Sequence, residues 1–115
     1  MSDLKKLTEK IKKFRDERDW KQFHNSKDVA ISLALEAAEV LEHFQWKNTE
    51  EVREYIKTNK ENIGEELADV LYWVLLMSDD LGINIKEALG KKIKENEKKY
   101  PVQKAKGKHI KYTKL

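Results

Sequence analysis

Two pairs of carboxylates, each set three residues apart, are the side chains of this sequence best suited to chemistry: Glu36 with Glu39, and Glu66 with Asp69. Residues three apart on a helix are surface neighbours. At ~100° per residue, Glu36 falls in the arc of Val29, Leu33, Val40 and Phe44, and Glu66 in the arc of Ile63, Val70, Trp73 and Met77. Acids on an apolar arc repel one another and lose hydration, so they need a cation or a proton to compensate. Four of them converging from two facing helices would form an oxygen-rich cage suited to hard ions such as Mg²⁺ or Mn²⁺. Alternatively the pairs are ordinary solvated acids, since 21 of them in 115 residues will produce such spacings. A di-iron bundle is disfavoured, because it needs Glu and His three apart on two of its helices. Here His43 comes four after Glu39, and the helix of Glu66 has no His.

The elements that must carry these acids are helical. The chain is 39% charged and 39% hydrophobic with four Gly and one Pro, a balance of amphipathic helices rather than of a sandwich, a barrel or a disordered tail. Leu4, Leu7, Ile11 and Phe14 predict a helix over residues 2–19. A loop follows, in which Asn25 or Ser26 caps the next helix, over residues 27–46. Small Ala34, Ala37 and Ala38 permit close approach to that helix. Asn48 or Thr49 opens a short helix through Ile56, with Glu51 completing a capping box. A longer helix begins near Asn59 and runs to Gly82, which suits a left-handed C-terminal cap. Asn84 opens the last helix, which ends at Tyr100 because Pro101 cannot continue it. The expected fold is all-α, a four-helix core with one short additional helix in a single domain. Residues 1–101 form the helical catalytic part and 102–115 a basic tail.

Composition narrows the function classes. No cysteine is present, which removes disulfides, thiolate zinc sites and cysteine nucleophiles. The first residues lack the apolar core of a signal peptide, and no run approaches the ~20 apolar residues that span a bilayer. A soluble, cytoplasmic protein with no membrane partner is expected. The net charge of +3 is uneven, because residues 102–115 hold five lysines and no acid. Those lysines suit phosphate contacts, a partner-subunit contact or plain solvation. A non-catalytic module binding single-stranded nucleic acid through this tail, with Tyr100 and Tyr112, is an alternative function, as is a purely structural helical interaction module. Neither accounts for the acid pairs, so a nucleic-acid partner is not expected.

Further motifs extend the pattern. Arg18-Asp19-Trp20-Lys21-Gln22-Phe23-His24 precedes the first acid pair, Glu42-His43-Phe44-Gln45-Trp46 follows it, and the second sits in Glu65-Glu66-Leu67-Ala68-Asp69-Val70-Leu71. With Asn96-Glu97-Lys98-Lys99-Tyr100-Pro101 and Lys111-Tyr112-Thr113-Lys114-Leu115, the sequence over nearly its whole length resembles the MazG-like pyrophosphohydrolases, and within them the dCTP pyrophosphatase branch. That resemblance implies Mg²⁺-dependent hydrolysis of a nucleoside triphosphate, dCTP or a modified dCTP, between its α- and β-phosphates, giving the monophosphate and pyrophosphate, and a role in cleaning the nucleotide pool. It implies a homodimer or a tetramer built from dimers. It makes Glu36, Glu39, Glu66 and Asp69 the metal ligands, with Glu39 the candidate for activating water. Trp20, His24, Trp46 and Trp73 match positions lining the nucleotide pocket, and Gln22 and Phe23 lie in the same segment. Asn96 and Lys99 match positions that reach phosphate. Trp73 stands where dCTP-type relatives carry tyrosine, a departure that bears on base selectivity.

Overall fold

The computed structural model describes residues 2–115. It holds five α-helices and, among the described residues, no strand: α1 Asp3–Glu17, α2 Ser26–Glu42, α3 Thr49–Asp80, α4 Ile85–Lys99 and α5 Val102–Ala105. Two compact units divide them, one ending at Gly82 and the other spanning Ile83–Leu115.

The first unit is built by local caps. Ser2 opens α1 by accepting the Lys5 N–H. Asn25, not Ser26, caps α2, accepting the Asp28 N–H at 2.9 Å while its own amide donates to the Asp28 carboxylate at 2.7 Å. Asn48 and Glu51 form a full capping box at the start of α3. Between α1 and α2 the chain reverses at Asp19, in the left-handed region at φ 54°, a conformation Asp tolerates better than most residues. A short 3-10 turn, Lys21–Phe23, then leads into α2.

Two boundaries differ from those expected. The short helix ending near Ile56 and the long one starting near Asn59 are one helix, α3, kinked at Asn59 (φ −125°, ψ 16°). No Pro or Gly separates the two stretches, so the helix continues. At the kink the Asn59 side-chain amide donates to the Tyr55 carbonyl at 2.9 Å, the kind of side-chain-to-backbone bond that accompanies bent helices. Helix α2 ends at Glu42 rather than at Trp46. Residues 43–47 tighten into turns in which the Leu41 carbonyl accepts from both Phe44 and Gln45.

Helix α3 packs against α2 and α1, and Val29, Leu75 and Leu76 are the buried apolar side chains of the described residues. Arg15 of α1 is also buried, at 1% exposure. Its guanidinium grips the Asp80 carboxylate with two bonds of 2.8 and 2.9 Å, the fork geometry that makes Arg the cation of choice away from water. Gly82, at φ 69°, supplies the left-handed residue that ends α3.

In the second unit Asn84 caps α4 by accepting the Glu87 N–H, and Tyr100 ends it before Pro101. The short separate helix of the fold is α5, in the tail. The tail folds onto the end of α4, with Tyr112 edge-on to Tyr100 at 6.0 Å and the Lys99 ammonium 4.9 Å from the Tyr112 ring centre. No described helix is long and apolar enough to cross a membrane.

Candidate metal centre

The two acid pairs meet. Helix α2 presents Glu36 and Glu39, α3 presents Glu66 and Asp69, and one oxygen from each lies within 4.8 Å of the others. Glu36 and Glu66 are half-buried, Glu39 and Asp69 exposed. The placement follows from spacing: three residues apart keeps each pair on one helical surface, and the packing of α2 on α3 brings the surfaces together.

The electrostatics of this quartet are unfavourable as it stands. None of the four forms an ion pair among the described residues. Burial, then the nearness of Glu39 and Asp69, holds the Glu36 carboxyl above the ordinary carboxylate range. Glu66 is pushed up to about 7, first by hydrogen bonding with Glu39, then by burial and the surrounding acids. The Glu36 Oε2 atom is buried without a hydrogen-bond partner, which costs free energy unless something compensates it. Proton sharing relieves part of the strain, and a divalent cation would relieve all of it. The donor set is oxygen only, which fits Mg²⁺ or Mn²⁺ and not a soft metal.

Six of the other sequence candidates, Trp20, Gln22, Phe23, His24, Trp46 and Trp73, lie in the first unit. His24 packs edge-on against Trp73 at 5.5 Å, and Trp73 edge-on against Tyr72 at 5.1 Å, so His24 and Trp73 are neighbours. His24 Nδ1 is buried without a partner. Trp20 packs edge-on against Phe14 at 5.7 Å. Gln22 is committed to the loop, its amide donating to the Asp19 carbonyl and carboxylate. Phe23 is exposed, and Trp46 is 86% exposed. Because α2 ends at Glu42, Trp46 sits in the following turn and does not share a helical surface with Glu36. Asn96 and Lys99 belong to α4 in the second unit.

Sequence reasoning missed two features. One is the Arg15–Asp80 pair, which helps to line a cavity of about 490 Å³ with Lys12, Lys21, His24 and Asp79. Its partners are 65 residues apart, and no local spacing announces it. The other is the contact of His43 with Tyr55, whose Nδ1 and hydroxyl are 2.6 Å apart.

Comparison with known proteins adds to this geometry. Residues 31–115 match the MazG-like family. The chain is 35% identical to mouse (Mus musculus) dCTP pyrophosphatase 1 over 104 residues, covering 89% of this chain and 61% of the relative. It is 32% identical to the human (Homo sapiens) protein of that name over the same shares. It therefore spans about three-fifths of the length of these curated relatives. A crystal structure of a pyrophosphatase from Archaeoglobus fulgidus superposes with a TM-score of 0.82 at 38% identity, covering 88% of this chain and 94% of that one.

Proposed function

The chain belongs to the MazG-like family, and from that membership we propose that it is a metal-dependent nucleoside triphosphate pyrophosphohydrolase acting on dCTP or a modified dCTP. The observation that carries the proposal is the convergence of Glu36, Glu39, Glu66 and Asp69 without a basic partner. Such a cluster is costly unless it holds a cation, and a cation held on carboxylates is the usual partner of a triphosphate. The substrate class follows the curated relatives, which are named as dCTP pyrophosphatases.

In this account the half-buried Glu36 and Glu66 would hold Mg²⁺, for which Mn²⁺ can substitute, as carboxylates. Asp69 and Glu39 would complete the ligand set from the exposed side. The ion, when bound, neutralises phosphate oxygens and polarises the α-phosphorus. Glu39, exposed and in reach of both half-buried acids, orients the attacking water and accepts its proton. The new bond forms from water oxygen to α-phosphorus, the bond to the α,β-bridging oxygen breaks, and pyrophosphate leaves with that oxygen. Trp20, His24, Trp46 and Trp73, with Gln22 and Phe23 shaping the loop, hold the base side.

The active form is a homo-oligomer. Ile31 and Leu35 of α2, and Leu67 and Leu71 of α3, are exposed at helical spacing, and apolar surface of this kind on two helices supports that reading. A second copy covering these faces gives the dimer from which a tetramer can be built.

The test is product analysis over a panel of canonical and 5-modified nucleoside triphosphates, with Mg²⁺ or with EDTA. The expected result is metal-dependent release of pyrophosphate and monophosphate, fastest with a cytosine nucleotide and lost in Glu39→Ala. No turnover of any nucleotide would overturn the proposal. Salt-sensitive binding of single strands that survives Glu39→Ala would replace it with the nucleic-acid module.

A further inference from the structure

Tyr55 joins the kink of α3 to the turn that follows α2. At the kink, its carbonyl accepts from the Asn59 side chain. Toward the turn, its hydroxyl meets His43 Nδ1 at 2.6 Å, its ring receives Phe44 edge-on at 6.3 Å, and the Lys47 ammonium lies 4.3 Å from its ring centre. Among the described residues, every hydrogen-bonding or aromatic contact from residues 43–47 to α3 ends on Tyr55. Trp46 lies within this turn, is 86% exposed, and has no aromatic neighbour among the described residues. The turn therefore sets where the backbone of Trp46 carries the indole, and Tyr55 holds the turn.

We infer that Tyr55 and His43 are a positioning pair that fixes Trp46 for stacking on the base of the bound nucleoside triphosphate. The inference rests on the activity proposed above. An aromatic side chain gains most from stacking when its pose is set before the ligand arrives, because ordering it on binding costs free energy. The pair touches none of the four carboxylates: these lie on α2 before the turn and on α3 beyond Asn59. Its loss acts on binding and spares the chemical step. Neither residue stands out by spacing, and both become visible through the contact itself.

The test is the Tyr55→Phe variant, which keeps the ring contacts and deletes the hydroxyl, made with and without Trp46→Ala. One lost hydrogen bond is expected to raise KM for the preferred triphosphate about 3- to 10-fold, with kcat within about twofold of the wild type. In the Trp46→Ala background the same change should add nothing, since there is no indole left to position. Equal effects in the two backgrounds, or a fall in kcat at constant KM, would overturn the inference. A second readout needs no turnover: with 5-fluorotryptophan incorporated, the ¹⁹F resonance of Trp46, assigned through Trp46→Phe, should move in Tyr55→Phe while those of Trp20 and Trp73 stay. An unmoved Trp46 resonance sinks the positioning role whatever the activity. If the wild type hydrolyses no triphosphate, the activity proposal has failed and this resonance alone decides the pair.

Discussion

Two stretches of the same helix treat their acids in opposite ways. Near its C-terminus, α3 presents Asp79 and Asp80, and each meets a base from α1: Lys12 lies 3.4 Å from Asp79, and Arg15 grips Asp80 with two short bonds. Near its middle, Glu66 and Asp69 face Glu36 and Glu39, and among the described residues no base pairs with any of them. In the first arrangement both acids are answered, and only the Arg15 Nε atom is left buried without a hydrogen-bond partner. The second is complete only with a cation or shared protons, and it is the second that sits where chemistry is proposed. Acids that are satisfied hold the fold together, whereas acids left unsatisfied are held together by the fold at a cost to its stability.

Breaking the satisfied end should have the largest effect on stability. Asp80→Ala strands a buried guanidinium, and unfolding by urea should show a loss of about 3–5 kcal/mol. Replacing both partners with apolar residues, Arg15→Met with Asp80→Leu, should recover most of it. At the unsatisfied quartet the expected change has the other sign. Adding Mg²⁺ at about 100 times its Kd should stabilise the protein by about 2.7 kcal/mol, read as a rise in Tm that EDTA reverses. Glu66→Gln removes one charge from the quartet. Its metal-free Tm should exceed that of the wild type, and the response to Mg²⁺ should shrink. The corresponding substitution in an ion-paired acid, Asp79→Asn, should lower Tm instead, which sharpens the contrast between the two stretches.

The smallest effect is a pH dependence. Glu36 is held above the ordinary range and Glu66 is pushed up to about 7, so the folded metal-free protein keeps protons that the unfolded chain releases near pH 4.5. A raised acid contributes stability that is full below its unfolded value and is lost as pH rises through its folded value. The urea midpoint of the metal-free wild type should therefore fall between about pH 4.5 and 7, more steeply than that of Glu66→Gln. A parallel fall in both would separate the trend from the quartet.

Much of this was legible in the sequence because it is local. Gly82 and Asn84 cap the helices they were expected to cap, and Asn25 and Asn48 prove to be the caps where each was one of two alternatives, since a cap depends on residues within one turn. The acid pairs were legible for the same reason, each being set by a spacing of three. The break near Asn59 was visible as a boundary, but not its outcome, because the helix carries on through a single non-helical residue with no Pro or Gly to stop it. The Arg15–Asp80 pair was illegible: it depends on how α1 lies on α3, and nothing near Arg15 in the sequence distinguishes it from the exposed basic residues of α1. The His43–Tyr55 contact was hidden by the expectation that α2 ran on to Trp46, which would have placed both His43 and Trp46 on a helix instead of in the turn that Tyr55 holds.

The most direct test of the unsatisfied quartet is a titration of the metal-free protein with Mn²⁺ followed by electron paramagnetic resonance, repeated with Glu36→Gln and with Asp69→Asn. Saturable loss of the free-ion signal in the wild type, displaced by Mg²⁺ and weakened in both variants, is the result the account predicts. A free-ion signal that grows in proportion to added Mn²⁺, the same in all three proteins, would contradict it and leave the four carboxylates as solvated acids.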